Sequence, residues 1–173
     1  MLWGLTVAGA AHTLLAMFGI LVGSIQLLRP KRGPAHRARG YAFVYAMLVA
    51  DGAALLVYRF TGSFNVLHAG ALMNLACVVL AMVPVLRSPR PANWKPRHYY
   101  WMSWSYVGLL AAAATELVVR GTHLESKAQA WAATAGVTAI VTMIGAVLIA
   151  RNWPVSAPPQ IPGGMTQHDG AQS

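Results

Sequence analysis

Apolar residues run in long blocks along most of the chain, and polar and basic residues collect between the blocks. An α-helix needs roughly 20 residues to cross about 30 Å of hydrocarbon. Five blocks reach about this length, at approximately 3–28, 40–60, 64–86, 99–119 and 130–150. They do not alternate apolar and polar residues as barrel strands do. The pattern therefore predicts an all-α membrane bundle of five transmembrane helices, with a four-helix core and a fifth, peripheral helix.

Little of the chain lies outside these blocks, so residues 1–151 are predicted to form one transmembrane helical domain. The first block has no basic segment before it and exceeds the usual length of a signal peptide core, so we interpret it as a retained span. Residues 152–173 are rich in Pro, Gly and Gln and poor in apolar residues. They are predicted to be a disordered cytoplasmic tail.

Composition agrees with a membrane protein, because 57% of the 173 residues are hydrophobic and only 10% are charged. The single cysteine, Cys77, lies inside the third block, which excludes a disulfide framework and a thiolate metal cluster. The HExxH, GxSxG and phosphate-binding glycine motifs are absent, so the sequence leaves open whether the protein is an enzyme.

The net charge of +9 follows from the loops rather than from a nucleic-acid surface. Most of the basic residues lie on one side of the predicted bundle, and these are Arg29, Lys31, Arg32, Arg37, Arg39, Arg87, Arg90, Lys95, Arg97 and Arg151. Short loops rich in Lys and Arg stay in the cytoplasm. We therefore expect a multi-pass protein of a bacterial inner membrane, with its N-terminus outside, its C-terminus inside, and the lipid bilayer but no nucleic acid as partner.

Four histidines fall on four different predicted helices, in two layers. His36 and His98 lie at the cytoplasmic boundary. With a rise of 1.5 Å per residue, His12 lies about 24 Å and His68 about 27 Å above that boundary. A histidine beside arginine at a helix mouth can also anchor lipid phosphates, so that interpretation of His36 and His98 stays open.

Two carboxylates are also predicted to lie within the membrane, Asp51 at about 16 Å and Glu116 at about 27 Å above the boundary. On the fourth helix, Glu116 shares a face with His98, but it could instead form a structural ion pair with Arg59 or Arg120 near the outer surface. On the first, His12 shares a face with Gly19 and Gly23, which favour close approach of a neighbouring helix. Ionisable groups inside a bilayer are costly and usually mark a pathway, a ligand or a relay.

Four segments, in this order, resemble a known family: AAHTLLAMFGILVGSIQLL at 10–28, AHRARGYAFVYAML at 35–48, LHAGALMNLA at 67–76 and RHYYWMSWSYVGLLAAA at 97–113. They are similar to the bacterial predicted-membrane-protein family called domain of unknown function 2306. The matching positions are His36, Arg37, Gly40, Tyr41, His98 and Met102. The resemblance covers about residues 5–120 and leaves the fifth helix and the tail outside it. It implies the same topology and the same choice of histidines, but no activity.

The first functional hypothesis is a haem-binding or redox membrane protein. A haem held by two imidazoles needs one histidine from each of two facing helices, a small residue beside it and basic groups for its propionates. His36, His98 and Gly40 are candidates, with Arg37, Arg39 and Arg97 nearby. His12 and His68 could form a second pair. The plan is similar in outline to transmembrane b-type cytochromes, although ligands there commonly share helices.

The rival hypothesis takes His12, His68 and Glu116, with Asp51 deeper, as a divalent-metal or proton-coupled transport site. Two imidazoles and a carboxylate suit zinc or a non-haem metal, and carboxylates also relay protons. A third hypothesis is a non-catalytic membrane assembly protein. Membrane redox partners and a homo-oligomer are both compatible with the sequence.

Overall fold

The computed structural model describes residues 7–56, 62–122 and 125–154. This part of the chain contains helices and short connections but no strand, which confirms the predicted all-α class. The helices are α1 (Val7–Leu28), α2 (Gly33–Ala54), α3 (Val66–Leu86), α4 (Trp94–Gly121) and α5 (Lys127–Arg151). The predicted helix ends at residues 3–6 and 57–60, and the predicted disordered tail from residue 155 onward, lie outside the described residues.

Four of these helices, α1, α3, α4 and α5, are long and apolar enough to cross a membrane. Large hydrophobic side chains such as Leu14, Met73 and Ile140 are exposed on their outer faces, where lipid would cover them. The helix outside this set is α2, which carries charged residues in its first turns and Asp51 nearer its end. The second predicted span therefore stays a prediction.

Three helices begin earlier than the apolar blocks suggest, α2, α4 and, by three residues, α5. The backbone of Gly33 has φ +80°, and Pro34 follows in the first turn of α2, so this helix starts seven residues before the predicted position 40. Helix α4 starts at Trp94 rather than at 99. Helical first turns accept polar residues that hydropathy assigns to loops, and His36 and His98 therefore lie inside their helices.

Helices α1 to α4 form a closed ring. Within the described residues α1 packs against α2, α2 against α3, α3 against α4, and α4 against α1. Helices α2 and α4 are therefore diagonally opposite each other, as are α1 and α3. Helix α5 packs against α4 alone among the described helices. The arrangement agrees with the predicted four-helix core and peripheral fifth helix.

The hydrophobic core occupies the middle of the ring and centres on Met47, which is fully buried. Its buried members are Val22, Phe43, Val44, Ala46, Met47, Ala50, Val78 and Leu109. Two glycines of α1 allow this packing: a Cβ on Gly19 would collide with the Met47 side chain, and one on Gly23 would collide with the Tyr106 ring. Small residues of this kind bring membrane helices close together.

Each helix contact includes a hydrogen bond. The bonds are His12 Nδ1 to Ala50 O at 2.9 Å, Asn74 Nδ2 to Asp51 Oδ2 at 2.8 Å, His98 Nδ1 to Ala81 O at 3.1 Å, Ser24 Oγ to Tyr106 Oη at 2.7 Å, and Tyr99 Oη to Ile149 O at 3.2 Å. Such bonds between membrane helices contribute about 1 kcal/mol each. Polar side chains therefore fix which helices are neighbours.

Helix α5 packs on α4 through a face that carries small residues. A Cβ on Gly145 would lie 2.5 Å from Val107 Cγ2, so the two backbones approach closely there. Thr138 Oγ1 lies 3.4 Å from Thr115 Oγ1 along the same contact. Neither contact involves a histidine, so α5 supports the ring from outside.

Candidate functional site

The bundle has two ends that differ in charge. We call the end formed by residues 29–32, 87–93 and 152–154 the basic end, and the opposite end the far end. Helices α2 and α4 both start at the basic end, whereas α1 and α3 both finish there.

Met47 and Leu109 define a common level in the middle of the ring. A Cβ on Gly19 would contact both side chains, although they belong to the diagonal helices α2 and α4. His36 lies eleven residues before Met47, and His98 lies eleven residues before Leu109. A rise of 1.5 Å per residue puts both histidines about 16 Å from that level, towards the basic end. His36 and His98 therefore form a level pair on diagonal helices.

The other two histidines, His12 and His68, lie on the opposite side of the common level, towards the far end. Asn74 Nδ2 lies 3.7 Å from Met47 Sδ, which puts Asn74 of α3 near the common level. His68 lies six residues before Asn74, and His12 lies seven residues before Gly19. Both histidines therefore lie about 9 to 10 Å from the common level, in the direction of the far end. His12 and His68 thus form a second level pair, on the other diagonal of the ring.

The environment of His36 favours its neutral form. Burial lowers the pKa of His36 below its usual value, and the positive charges of His98, Arg39 and Lys31 lower it further. The charge of His98 is thus part of the electrostatic environment of His36. Protonation of both at once is therefore disfavoured.

Gln26 of α1 determines which ring nitrogen of His36 carries the proton. The Gln26 side-chain oxygen accepts from Arg39 Nε at 2.9 Å, and its Nε2 donates to the His36 carbonyl at 3.0 Å. Because these two partners fix the amide orientation, Gln26 Nε2 also donates to His36 Nδ1. The neutral His36 ring therefore has its proton on Nε2.

His98 has the opposite tautomer. Its Nδ1 lies 3.1 Å from the carbonyl oxygen of Ala81 on α3, and a carbonyl only accepts. The neutral His98 ring therefore donates from Nδ1 and keeps its lone pair on Nε2. A backbone or carboxylate acceptor at Nδ1 is the usual arrangement for a histidine that binds a metal through Nε2.

The far-end pair repeats this difference. His12 donates from Nδ1 to the Ala50 carbonyl of α2 at 2.9 Å, so its lone pair is on Nε2. The buried His68 accepts at Nδ1 from the backbone N–H of Asn65 at 3.3 Å, and its ring contacts Phe64. That bond is part of a capping box at the start of α3, which gives His68 a structural role as well.

A buried carboxylate lies between the common level and the far end. Asp51 of α2 accepts a hydrogen bond from Asn74 of α3 and interacts electrostatically with His12 of α1. Within the described residues, Asn74 Oδ1 is buried without a hydrogen-bond partner. Asp51 therefore joins α2 to α3 through a hydrogen bond and lies within electrostatic range of His12 on α1.

The remaining predicted site residues lie outside these pairs. A Cβ on Gly40 would stand 3.8 Å from Gln26 Nε2, an ordinary contact, and Arg37 and Arg97 are exposed at the basic end. Glu116 is bound to Arg120 of its own helix at 2.6 Å, near the surface. In the part of the chain that the structure describes, no three His, Cys, Asp or Glu side chains are placed to share a metal ion.

Gln26 and Asn74 contact site residues, but neither was predicted as a site residue from the sequence. Gln26 shares the His12 and Gly19 face of α1, but nothing in the sequence shows which way its amide points. Asn74 is about 120° from His68 around α3, yet both are buried. The reason is that α3 contacts both α2 and α4, so two of its faces are interior.

A family comparison agrees with this architecture. The sequence profile of the family described as "Predicted membrane protein (DUF2306)" matches residues 9–153. The chain belongs to this family. The resemblance to DUF2306 is therefore confirmed, but the prediction that the fifth helix lies outside it is wrong, because the match runs past the end of α5. No curated protein and no solved structure matches the chain.

Proposed function

We propose that this DUF2306 protein binds two haems, one at each histidine pair, and carries electrons between the two ends of the bundle. The observation that supports this most is geometric: each pair is level, and its two members come from diagonal helices of one ring. Bis-imidazole ligation requires one histidine from each of two facing helices. Bound haem would supply a reversible one-electron iron couple at each pair.

Two of the four histidines already present a lone pair on Nε2 for iron, and the other two must change tautomer first. His98 and His12 already present an Nε2 lone pair and donate from Nδ1 to a backbone carbonyl, which makes the ligand nitrogen more basic. His36 and His68 accept at Nδ1. Ligation by these two requires the proton to move from Nε2 to Nδ1, and at His36 the Gln26 amide must turn away.

The surroundings of the two pairs also favour electron transfer over transport of a solute. Lys31 and Arg39 lie within electrostatic range of His36, where they would neutralise propionate groups at the basic end. Between the two pairs, the ring is filled by the apolar core around Met47 and Leu109. That packing excludes water and ions from the middle of the bundle.

The proposed orientation puts the basic end in the cytoplasm, the N-terminus outside and the C-terminus inside a bacterial inner membrane. It rests on the concentration of Lys and Arg at that end. A reporter that works only in the cytoplasm, fused after Ser173, should be active, and activity of a periplasmic reporter there would overturn the orientation. An electron donor and an acceptor would then meet opposite ends of the bundle, whereas a second copy of the chain would pack beside it in the bilayer.

A visible absorption spectrum tests the haem proposal. Wild type, His36→Arg and His98→Lys should be purified from cells supplied with haem precursor, and their bound haem should be measured. We expect two haems per wild-type chain and one in each variant, because neither replacement offers iron a lone pair at neutral pH. Wild type without haem, or variants that keep both haems, would show the proposal to be wrong.

One observation favours a second candidate, a proton-coupled membrane protein. Asp51 is buried. It accepts a hydrogen bond from the Asn74 amide and lies within electrostatic range of His12. An ionisable group inside a bilayer often marks a proton pathway. If wild type carries no haem, and Asp51→Asn and His12→Ala abolish proton uptake by proteoliposomes to the same extent, this candidate replaces the first. Uptake unaffected by either substitution would reject it.

A further inference from the structure

A groove opens on the surface of the basic end, between the start of α4 and the residues that follow α5. It is lined by Asn93, Pro96, Arg97, Tyr100, Trp101 and Trp153. This groove lies on the outer side of the ring and includes none of the four paired histidines. Of the haem candidates it contains only Arg97, whose side chain is exposed and lies outside the two pairs.

Aromatic rings form the walls of the groove. Tyr100 contacts Trp101 with ring centroids 5.0 Å apart and Trp153 with centroids 5.9 Å apart, both edge to face or steeply tilted. Trp153 also meets Tyr99 edge-on at 6.1 Å, and 45% of its surface is exposed. Tyr and Trp concentrate where a membrane protein crosses the headgroup region, since their rings are partly apolar and partly polar. The walls therefore suit the glycerol and upper acyl region of a lipid.

Arg97 is the cation in this groove, and its guanidinium is available. Within the described residues its side chain makes no hydrogen bond or ion pair, and it is exposed. Its basic neighbours are engaged: Arg90 donates to the Val85 carbonyl at 2.9 Å and lies over the Trp94 ring, and Lys95 lies over the same ring. Arg97 is therefore free to take an external anion.

No acidic side chain competes for Arg97 in the described part of the basic end. The structure describes three acidic residues, and they all lie in the far half of the bundle: Asp51, Glu116 and Glu125. Among the described residues, the charged side chains around the groove are thus all basic. Anionic lipids are attracted to such surfaces, and a planar guanidinium binds a phosphate through two parallel hydrogen bonds.

We propose that this groove binds one anionic phospholipid, with the phosphate on Arg97 and the glycerol and upper acyl chains against Tyr100, Trp101 and Trp153. The occupant is a lipid rather than free phosphate because the aromatic walls offer an apolar surface that a free anion does not use. The lipid would bridge α4 and the end of α5, and so would tie the peripheral helix to the ring at the basic end.

Native mass spectrometry tests the proposal on the full chain. The protein should be equilibrated with equal amounts of phosphatidylglycerol and phosphatidylcholine, and the retained lipids counted for wild type, Arg97→Gln, Arg97→Lys and Arg87→Gln. Arg87 is the matched control, because it is exposed in the same basic connection but does not line the groove. Circular dichroism checks that each variant keeps its helix content.

We expect wild type to retain one phosphatidylglycerol with a preference of about fivefold, the size expected for one interfacial arginine. Arg97→Gln should remove that preference, while Arg97→Lys and Arg87→Gln should keep most of it. Equal losses in Arg97→Gln and Arg87→Gln would mean diffuse surface charge and would overturn the proposal. So would the absence of any preference in wild type, or full displacement of the lipid by excess soluble glycerol phosphate.

Discussion

The two histidine pairs share one geometry but have different surroundings. At the basic end, the proton position on His36 is set by a side chain, Gln26, and the positive charges of Arg39 and Lys31 act on His36. At the far end, the proton position on His68 is set by the backbone of Asn65, and the charged neighbour of His12 is the carboxylate of Asp51. The same helix ring can therefore offer two sites of opposite electrostatic character, one at each end.

The largest expected effect is a loss of bound haem in variants with two histidines replaced. In two variants both histidines come from the same pair, and in a third they come from different pairs. The variants His36→Leu with His98→Leu, and His12→Leu with His68→Leu, should each lose one haem and keep the other. The crossed variant His36→Leu with His12→Leu should lose both, because it removes one ligand from each pair. Haem content per chain is the measurement, and equal losses in all three variants would mean that the pairs are not the sites.

Gln26→Glu should have a smaller effect that is confined to the basic end. A carboxylate at this position still accepts from Arg39 but now accepts from His36 Nδ1–H as well, which leaves the lone pair on Nε2 and makes it more basic. The midpoint potential of the basic-end haem should fall by on the order of 30 to 60 mV, while the far-end potential stays constant.

Gln26→Leu is the control for this substitution, because it removes the amide without supplying an acceptor. Redox titration of the absorption spectrum should show no such fall in potential for this variant. Loss of the basic-end haem in Gln26→Glu, at the level seen in His36→Arg, would contradict the assigned role of Gln26.

The level and the face of each histidine could be predicted from sequence, because a helix has a fixed rise and a fixed turn per residue. The pairing across diagonals could not, since it depends on which helices are neighbours in the ring. The helix starts were misplaced because Gly33, Pro34 and Trp94 begin helices whose first turns are polar.

The sequence left two interpretations of Glu116 open, an interior role and an ion pair with Arg59 or Arg120, and the structure has the pair with Arg120. Glu116 shares a helix face with His98, but near the far end the same helix offers Arg120 one turn away, and the two side chains pair. A local ion pair of this kind competes with any interior role, and helical periodicity alone does not show which contact forms.

The smallest expected effect is a pH dependence at the basic end. His36 lies outside the predicted span, and its pKa is lowered, chiefly by burial, so the folded chain favours the neutral ring more than the unfolded chain does. The contribution of the neutral His36 ring to the free energy of unfolding is fully present above the usual histidine pKa of about 6.5. This contribution decreases as the pH drops below that value. The melting temperature of the haem-free protein should therefore fall by a few degrees between neutral and mildly acidic pH.

The matched variant for this measurement is His36→Asn, which keeps a polar side chain but has no group that titrates in this range. Its melting temperature should change less between the same two pH values than that of wild type. An equal change in both proteins would assign the pH dependence to other groups.

The acceptors of His12 and His98 are main-chain carbonyls, and a carbonyl is present whatever side chain its residue carries. Ala50 and Ala81 are almost completely buried, so other small residues should replace them without loss of the acceptor. Gln26, His36 and Arg39 instead depend on one another's side chains. Among relatives that keep His36, positions 26 and 39 should therefore covary, while positions 50 and 81 should vary among small residues.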